Sequence, residues 1–179
     1  MVTVLAAMWD LRLCGVAIGF IAGISTNSLS AWGFPKCTDA RGVAVKFYAQ
    51  PSDSGMKNAK ADYRRECDKR GRCRRVPIVI FNPDHPYLQG RMYQFTLLHE
   101  CGHHAHGDTL KSKGDPGSKV TLVRESKADC YAARRGKAEG RVSCDDIQTV
   151  SETFANVGRV DSAKRAVLLK QCMRRIGCY

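Results

Sequence analysis

Apolar and polar positions along the chain predict two short strands in its first half. In residues 43–48, Val43, Val45 and Phe47 alternate with other residues, which places them on one face of a strand. Residues 76–82, with the sequence VPIVIFN, form an apolar run rich in β-branched side chains. Proline near the start of this run predicts an edge strand, because proline has no N–H to pair. Between the two runs, residues 56–65 are predicted to be helical.

The second half of the chain has helical patterning. Four helices are predicted: from near Arg91 to Gly107, from positions 116–119 to Gly136, from Ser143 to just before Gly158, and from Asp161 to Gly177. Ser143 followed by Asp146 is typical of a capping box, and glycine is favoured just past a helix end. A short sheet followed by packed helices predicts an α+β fold.

The N-terminus predicts export. Residues 13–24 are an uncharged apolar run with the length of a signal-peptide core, and Arg12 precedes it. Small residues stand near Ala31, where we predict cleavage. The expectation is a signal peptide over residues 1–31 and a single domain over residues 32–179, secreted or periplasmic and not integral to a membrane after cleavage. An uncleaved membrane anchor is the alternative.

Export changes the interpretation of the nine cysteines. Cys14 lies in the predicted signal, and the eight that remain are an even number in a chain sent to an oxidising compartment. A disulfide-stabilised fold is therefore predicted. One bridge, Cys67–Cys73, would close a turn at residues 70–71, whereas the full pairing is not determined by the sequence. Cys101 and Cys130 are expected to have structural roles.

The charge is strongly basic, with a net +12 at pH 7 that is concentrated in residues 57–75 and near the C-terminus. A nucleic-acid footprint is one interpretation, but residues 57–75 contain Tyr63 as their single aromatic residue and match no binding module. We therefore expect no specific nucleic-acid partner. A solvated basic face attracted to anionic envelope polymers is the favoured interpretation.

Candidate chemistry is concentrated in the sequence HECGH, residues 99–103. His99 and His103 are four residues apart, so on a helix the two imidazoles lie about one turn apart and face one point. Glu100 lies to the side of that face, where a carboxylate can act as a general base without being a metal ligand. Zinc bound by the two histidines would acidify a water molecule and polarise a carbonyl.

A third ligand is available on the next predicted helix. Glu125 would complete a His₂Glu set with an open fourth position, and Asp129, one turn later, can hydrogen-bond the outer nitrogen of a ligating histidine. At this point the sequence resembles the gluzincin zinc metallopeptidases, whose pattern is HExxH followed by ExxxD on a second helix. The resemblance covers roughly residues 76–135. It implies one Zn²⁺ per chain and hydrolysis of peptide or protein substrates, with Glu100 as general base and then proton donor to the leaving amine.

In full, the resemblance implies a minimal single-domain zincin: a short sheet whose edge strand packs on the active-site helix, a glutamate helix and two C-terminal helices. The edge strand of that family binds extended substrate, so the candidate substrate strand is Ile78, Val79, Ile80 and Phe81. His106 and Tyr131 are candidate contacts to the cleft or to the transition-state oxyanion. His104, off the ligand face, is expected to face solvent.

Two other functions stay open at this level. One is a non-catalytic binding protein on a zincin scaffold. The other is a zinc amidase that acts on cell-wall material with the same ligands.

Overall fold

The computed structural model describes residues 33–50, 58–85, 90–111 and 119–179. The predicted signal peptide, residues 1–31, lies outside these ranges. Within them the elements are, in chain order, β1 (Lys46–Ala49), β2 (Ala59–Cys67), β3 (Cys73–Phe81), α1 (Gly90–Ala105), a 3₁₀ turn (Asp108–Leu110), α2 (Lys119–Ala138), α3 (Cys144–Asn156) and α4 (Val160–Arg175). The predicted α+β class is confirmed. None of the described helices has the length and apolar character needed to cross a membrane.

The sheet has three strands in the order β1-β3-β2. Strand β3 pairs with β1 in parallel and with β2 antiparallel, so Ile78–Phe81 has a neighbour on both sides. The prediction that Ile78, Val79, Ile80 and Phe81 form an edge strand is therefore wrong. The prediction rested on Pro77, which cannot donate a backbone hydrogen bond. Strand β1 begins opposite Ile78, so no residue of β1 needs a hydrogen bond from the backbone of Pro77.

The predicted helix over residues 56–65 is also wrong, because Ala59–Cys67 is strand β2. Nine residues of β2 pair in register with β3, and the Cys67–Cys73 disulfide closes the hairpin, as predicted. Asp68 accepts backbone hydrogen bonds from Arg70 and Arg72, and Gly71 takes a left-handed φ of 75° in the turn. Tertiary pairing with β3 therefore outweighs the helical propensity of this segment.

Helix α1 lies between two apolar clusters. Tyr93, Leu97 and Cys101 face the sheet, where they pack with Val79 and Phe81. The opposite face packs against α2, α3 and α4; the buried members of that cluster are Phe95, Leu98, Ala132, Ala133, Val142, Ile147, Val150, Leu169, Cys172 and Met173. Burial on both faces fixes the orientation of α1, and with it the direction of its polar side chains.

Four disulfides tie the described elements together. They join Cys37 to Cys101, Cys67 to Cys73, Cys130 to Cys172 and Cys144 to Cys178. The predicted structural roles of Cys101 and Cys130 are confirmed, since the first bridge fastens the N-terminal loop to α1 and the third fastens α2 to α4. The predicted capping box at the start of α3 is also present, with Ser143 and Asp146 bonded reciprocally.

Candidate metal centre

Helices α1 and α2 bring three donor side chains to one point. His99 Nε2 and His103 Nε2 are 3.1 Å apart. Glu125, on α2, places one carboxylate oxygen 3.4 Å from His99 Nε2 and the other 3.3 Å from His103 Nε2. Among the described residues, His99, His103 and Glu125 form the one group of potential metal ligands close enough together to hold an ion.

These separations are close to those around a tetrahedral ion. Metal–donor bonds of about 2.0–2.1 Å in tetrahedral geometry give donor–donor edges of about 3.3–3.4 Å. The two imidazole nitrogens are 3.1 Å apart, and each has a different Glu125 oxygen within 3.4 Å, while one donor atom from each residue lies within 4.8 Å of the others. Three protein ligands leave one coordination position, which is the arrangement of catalytic rather than structural zinc sites.

Close helix packing at Gly102 makes this convergence possible. A Cβ atom built on Gly102 would lie 2.9 Å from Ala128 Cα and 3.2 Å from Ala128 Cβ, so only glycine allows α1 and α2 to approach this closely. Gly102 is one residue before His103, and Ala128 lies between Glu125 and Asp129. The small residues at the crossing therefore set the distance between the histidine pair and the glutamate.

Behind the donors, Asp129 orients His99. The Nδ1–H of His99 donates to Asp129 Oδ1 at 2.8 Å, which leaves Nε2 free as a metal donor. Asp129 is buried, and Arg165 of α4 holds it through two hydrogen bonds of 2.9 and 2.8 Å. Arg165 also lies 3.1 Å from Glu125 Oε2, and its guanidinium stacks over Phe154. Arg165 was not predicted as part of the site, because nothing in the local sequence pattern indicates that α4 packs against α2 at this point.

His103 has a carboxylate behind it as well. Asp108 Oδ2 lies 3.4 Å from His103 Nδ1. The chain reverses at Gly107, whose φ of 67° is left-handed, and this turn brings Asp108 back toward the helix it has just left. Gly107 was predicted to end α1, but the return of Asp108 was not anticipated. A glycine followed by an acidic residue just past the motif was the available signal.

The charges around the cluster favour a bound cation. Glu125 and Asp129 are two desolvated carboxylates, and Arg165 supplies one compensating positive charge. Burial alone would lower the pKa of His99, but the neighbouring carboxylates, Asp129 foremost, raise the pKa of His99 to about 10. Burial would likewise raise the pKa of Glu125, yet the two histidines and Arg165 hold that pKa far below its usual range.

Glu100 is next to the donor set without belonging to it. Its Oε2 accepts a 2.7 Å hydrogen bond from the backbone N–H of Ala61 in β2, and the side chain is largely buried. This bond holds the carboxylate between the edge strand and the ligand face of α1. The predicted arrangement, a carboxylate beside two ligands, matches this geometry, whereas its catalytic role stays a prediction.

Other predicted contacts lie elsewhere. His106 and Tyr131 meet edge to face with ring centroids 5.9 Å apart, and Tyr131 accepts a hydrogen bond from Arg135. On α2, Tyr131 is six residues after Glu125, so the two side chains point about 120° apart around the helix axis. Neither side chain has a contact with the three donor atoms among the described residues, and their role at an oxyanion stays a prediction.

His104 does not face solvent as predicted; it is fully buried. Its Nε2–H donates to the carbonyl of Ile78 at 2.8 Å, and Thr109 Oγ1 lies 3.2 Å from its Nδ1. Burial lowers the pKa of His104, which favours the neutral imidazole, and its hydrogen bond links α1 to β3.

A cavity of about 220 Å³ lies against the centre. Leu122 and Glu125 of α2 form one wall, and Arg159, Ser162 and Arg165 at the start of α4 form the other. Of the three donor residues, Glu125 lines this cavity, so the cavity reaches the candidate centre from the α4 side.

Comparison of this chain with protein-family models, with curated proteins and with solved structures gives no match.

Proposed function

We propose that this chain is a secreted or periplasmic zinc-dependent metallopeptidase. The observation that carries the proposal is the convergence of His99, His103 and Glu125, in which each imidazole nitrogen lies within 3.4 Å of the Glu125 carboxylate and 3.1 Å from the other nitrogen. Three protein ligands would leave one position for substrate or water. Two imidazoles and one glutamate carboxylate are a ligand set that catalytic zinc sites use. Five positions of the gluzincin pattern are present in the chain, and four disulfides are typical of an oxidising compartment.

Zinc, when bound, would supply Lewis acidity toward the scissile carbonyl and toward water. Glu100 would take the proton from the attacking water as the carbon–oxygen bond forms. It would then give that proton to the amine as the carbon–nitrogen bond breaks, which balances the hydrolysis. Asp129 and Arg165 hold the ligands in orientation. The 220 Å³ cavity is the proposed place for a substrate side chain.

The edge strand expected to bind substrate is reassigned to β2. This strand lies at the sheet edge next to α1, and its Ala61 contacts Glu100 directly. An extended peptide beside β2 would pass the carboxylate that is proposed to move the proton.

The test combines metal analysis with activity in three variants. Wild type and Glu100→Gln should each retain one zinc per chain, and Glu125→Ala should lose it. Glu100→Gln should lower hydrolysis of a denatured protein by about 10²–10⁴-fold, the usual contribution of a general base. Glu152→Gln, an exposed carboxamide substitution on α3, is the matched control and should change neither zinc content nor activity.

Zymograms on protein and on peptidoglycan, run in parallel, separate the peptidase from a cell-wall amidase. Full hydrolysis by Glu100→Gln would refute the mechanism. A wild-type chain that takes up no zinc from buffered solution would refute the centre itself.

A further inference from the structure

The hairpin formed by residues 64–75 carries an unusual excess of positive charge. These residues, hereafter the basic hairpin, are the end of β2, the turn and the start of β3. They include seven lysines and arginines against two carboxylates, a net +5 of the chain's +12. All except Glu66 are exposed, and the Cys67–Cys73 disulfide closes the hairpin just before its turn.

Both carboxylates of the basic hairpin are already neutralised. Glu66 is bonded to Lys46 on β1 at 2.8 Å, and Asp68 is paired with Arg72 at 2.8 Å. The six other cations have no ion pair with any described residue; they are Arg64, Arg65, Lys69, Arg70, Arg74 and Arg75. Two of them contact aromatic rings, Arg64 over Tyr48 and Arg75 over Tyr63, but none has an acidic partner in the described part of the chain. Ordinary solvated surfaces intersperse both signs, so this hairpin has an excess of uncompensated positive charge.

The pairing register of the basic hairpin places two positive charges opposite each other. Arg65 lies directly opposite Arg75, on the same face of the hairpin. Like charges at directly opposed positions destabilise an antiparallel pair. Arg75 is partly compensated by its position 5.0 Å from the Tyr63 ring centroid, but Arg65 has no such contact. An anionic ligand between the two guanidinium groups would remove the repulsion.

The arrangement also indicates the size of the ligand. From Arg64 to Lys69 the strand and turn extend over roughly 15 Å, at about 3.3 Å per residue. Cations occupy both faces, with Arg65 and Arg75 on one and Arg64 and Arg74 on the other. A single small anion can contact only part of this set, whereas a chain with repeated negative charges that runs along one face can contact Arg65 and Arg75 and continue to Lys69 and Arg70 at the turn.

We propose that the basic hairpin binds an acidic polysaccharide. Single-stranded nucleic acid is bound largely by stacking of its bases on aromatic side chains, and residues 64–75 contain none. Four disulfides are typical of the oxidising compartments in which acidic glycans are found outside the cell. The proposal goes beyond the peptidase and does not depend on the metal centre.

The geometry gives the bound polymer a position relative to that centre. Ala61, which bonds to Glu100, is four residues before Arg65 on the same strand, so about 13 Å separates the two along β2. Tyr63, between them, lies against His104 of α1, so the Arg65–Arg75 face is on the α1 side of the sheet. A polymer on this face would hold the protein with its metal centre beside the polymer.

Binding of fluorescent heparin and of polygalacturonate by the full chain, at 0.15 M salt and over a salt series, tests the proposal. Arg65→Gln combined with Arg75→Gln should weaken binding by about tenfold or more and lower the slope of log affinity against log salt by about one to two, because two charge contacts are lost. The matched control, Lys164→Gln with Lys170→Gln, removes the same charge from exposed positions on α4 and should change affinity by less than about twofold.

Equal losses in the two double variants would overturn the proposal, since binding would then follow net charge alone. So would tighter binding of a 30-base-pair DNA duplex or of phosphatidylglycerol vesicles at the same salt, or no glycan binding at 0.15 M salt. Glu125→Ala should bind glycan with the affinity of the wild type. Glycan binding therefore tests this proposal independently of whether the metal centre binds zinc.

Discussion

The crossing of α1 and α2 at Gly102 provides the sharpest test of how the fold builds the metal centre. In Gly102→Ala, the new Cβ would lie 2.9 Å from Ala128 Cα, a backbone atom that cannot rotate away. Ordinary carbon contacts begin near 3.5 Å, so the helices must separate by about 0.6 Å. Because Glu125 is three residues before Ala128, its carboxylate would move with α2, away from His99 and His103.

Stability and metal affinity should respond differently. Overpacking of this kind costs about 1–3 kcal/mol, and the higher helix propensity of alanine returns about 1 kcal/mol, so the free energy of unfolding should fall by only about 0–2 kcal/mol. Metal sites tolerate ligand distances within about 0.2 Å of ideal, one third of the expected shift. Zinc affinity should therefore fall by at least the roughly 10–100-fold that follows loss of an outer contact to a ligand.

The assay is a competitive zinc titration with a chromophoric chelator, together with urea unfolding of the metal-free chain. Gly136→Ala is the matched control: its Cβ would meet the side chains of Val142 and Leu98, at 2.6 Å and 3.2 Å, about three helical turns after Glu125 on α2. That variant should lose stability and keep the wild-type affinity for zinc. Wild-type zinc affinity in Gly102→Ala would refute the argument that the helix separation sets the ligand geometry.

Three further predictions concern the supports of the centre and of the fold. Arg165→Met removes both hydrogen bonds to Asp129 and should weaken zinc binding by about 10–100-fold in the same titration, with unchanged affinity as the contrary result. Burial would raise the pKa of Asp39, but hydrogen bonds, foremost the one from Arg41, lower the pKa from 3.8 to about 2. The ionised Asp39 carboxylate therefore stabilises the fold above pH 3.8, and this stabilisation is lost as the pH falls toward 2. In Asp39→Asn, urea unfolding between pH 4 and pH 2 should show a shallower loss of stability than wild type, and parallel curves would contradict this. Replacing Cys130 and Cys172 by alanine opens a loop of 42 residues and should lower the free energy of unfolding by about 4 kcal/mol, whereas a change under 1 kcal/mol would contradict the loop-entropy account.

Much of the helical half was predictable because its signals are local. The capping box at Ser143 uses residues three apart, and the left-handed glycine at position 107 is a property of the turn alone. The histidine pair faces one point because helix geometry fixes residues four apart. Glu125 could be chosen as third ligand from its pattern with Asp129, and the structure brings it within 3.4 Å of both histidines.

The errors arose where distant segments meet. Ala59–Cys67 has helical propensity but becomes a strand, and Ile78–Phe81 has edge character but lies in the centre of the sheet. In both cases the outcome depends on which other strand is available to pair. His104 was placed in solvent because a helical wheel shows which residues share a face but not what packs on each face.

The sequence by itself determined the chemical content of this protein: the donor residues, their helical phase, the supply of cysteines and the excess of positive charge. Only the tertiary structure decided what those groups contact. It brought Arg165 to Asp129, returned Asp108 to His103, attached Glu100 to β2 and set Arg65 opposite Arg75. The physical reason is that helix phase and turn conformation are set by neighbouring residues, whereas packing and ion pairing between elements depend on the mutual burial of surfaces far apart in the chain.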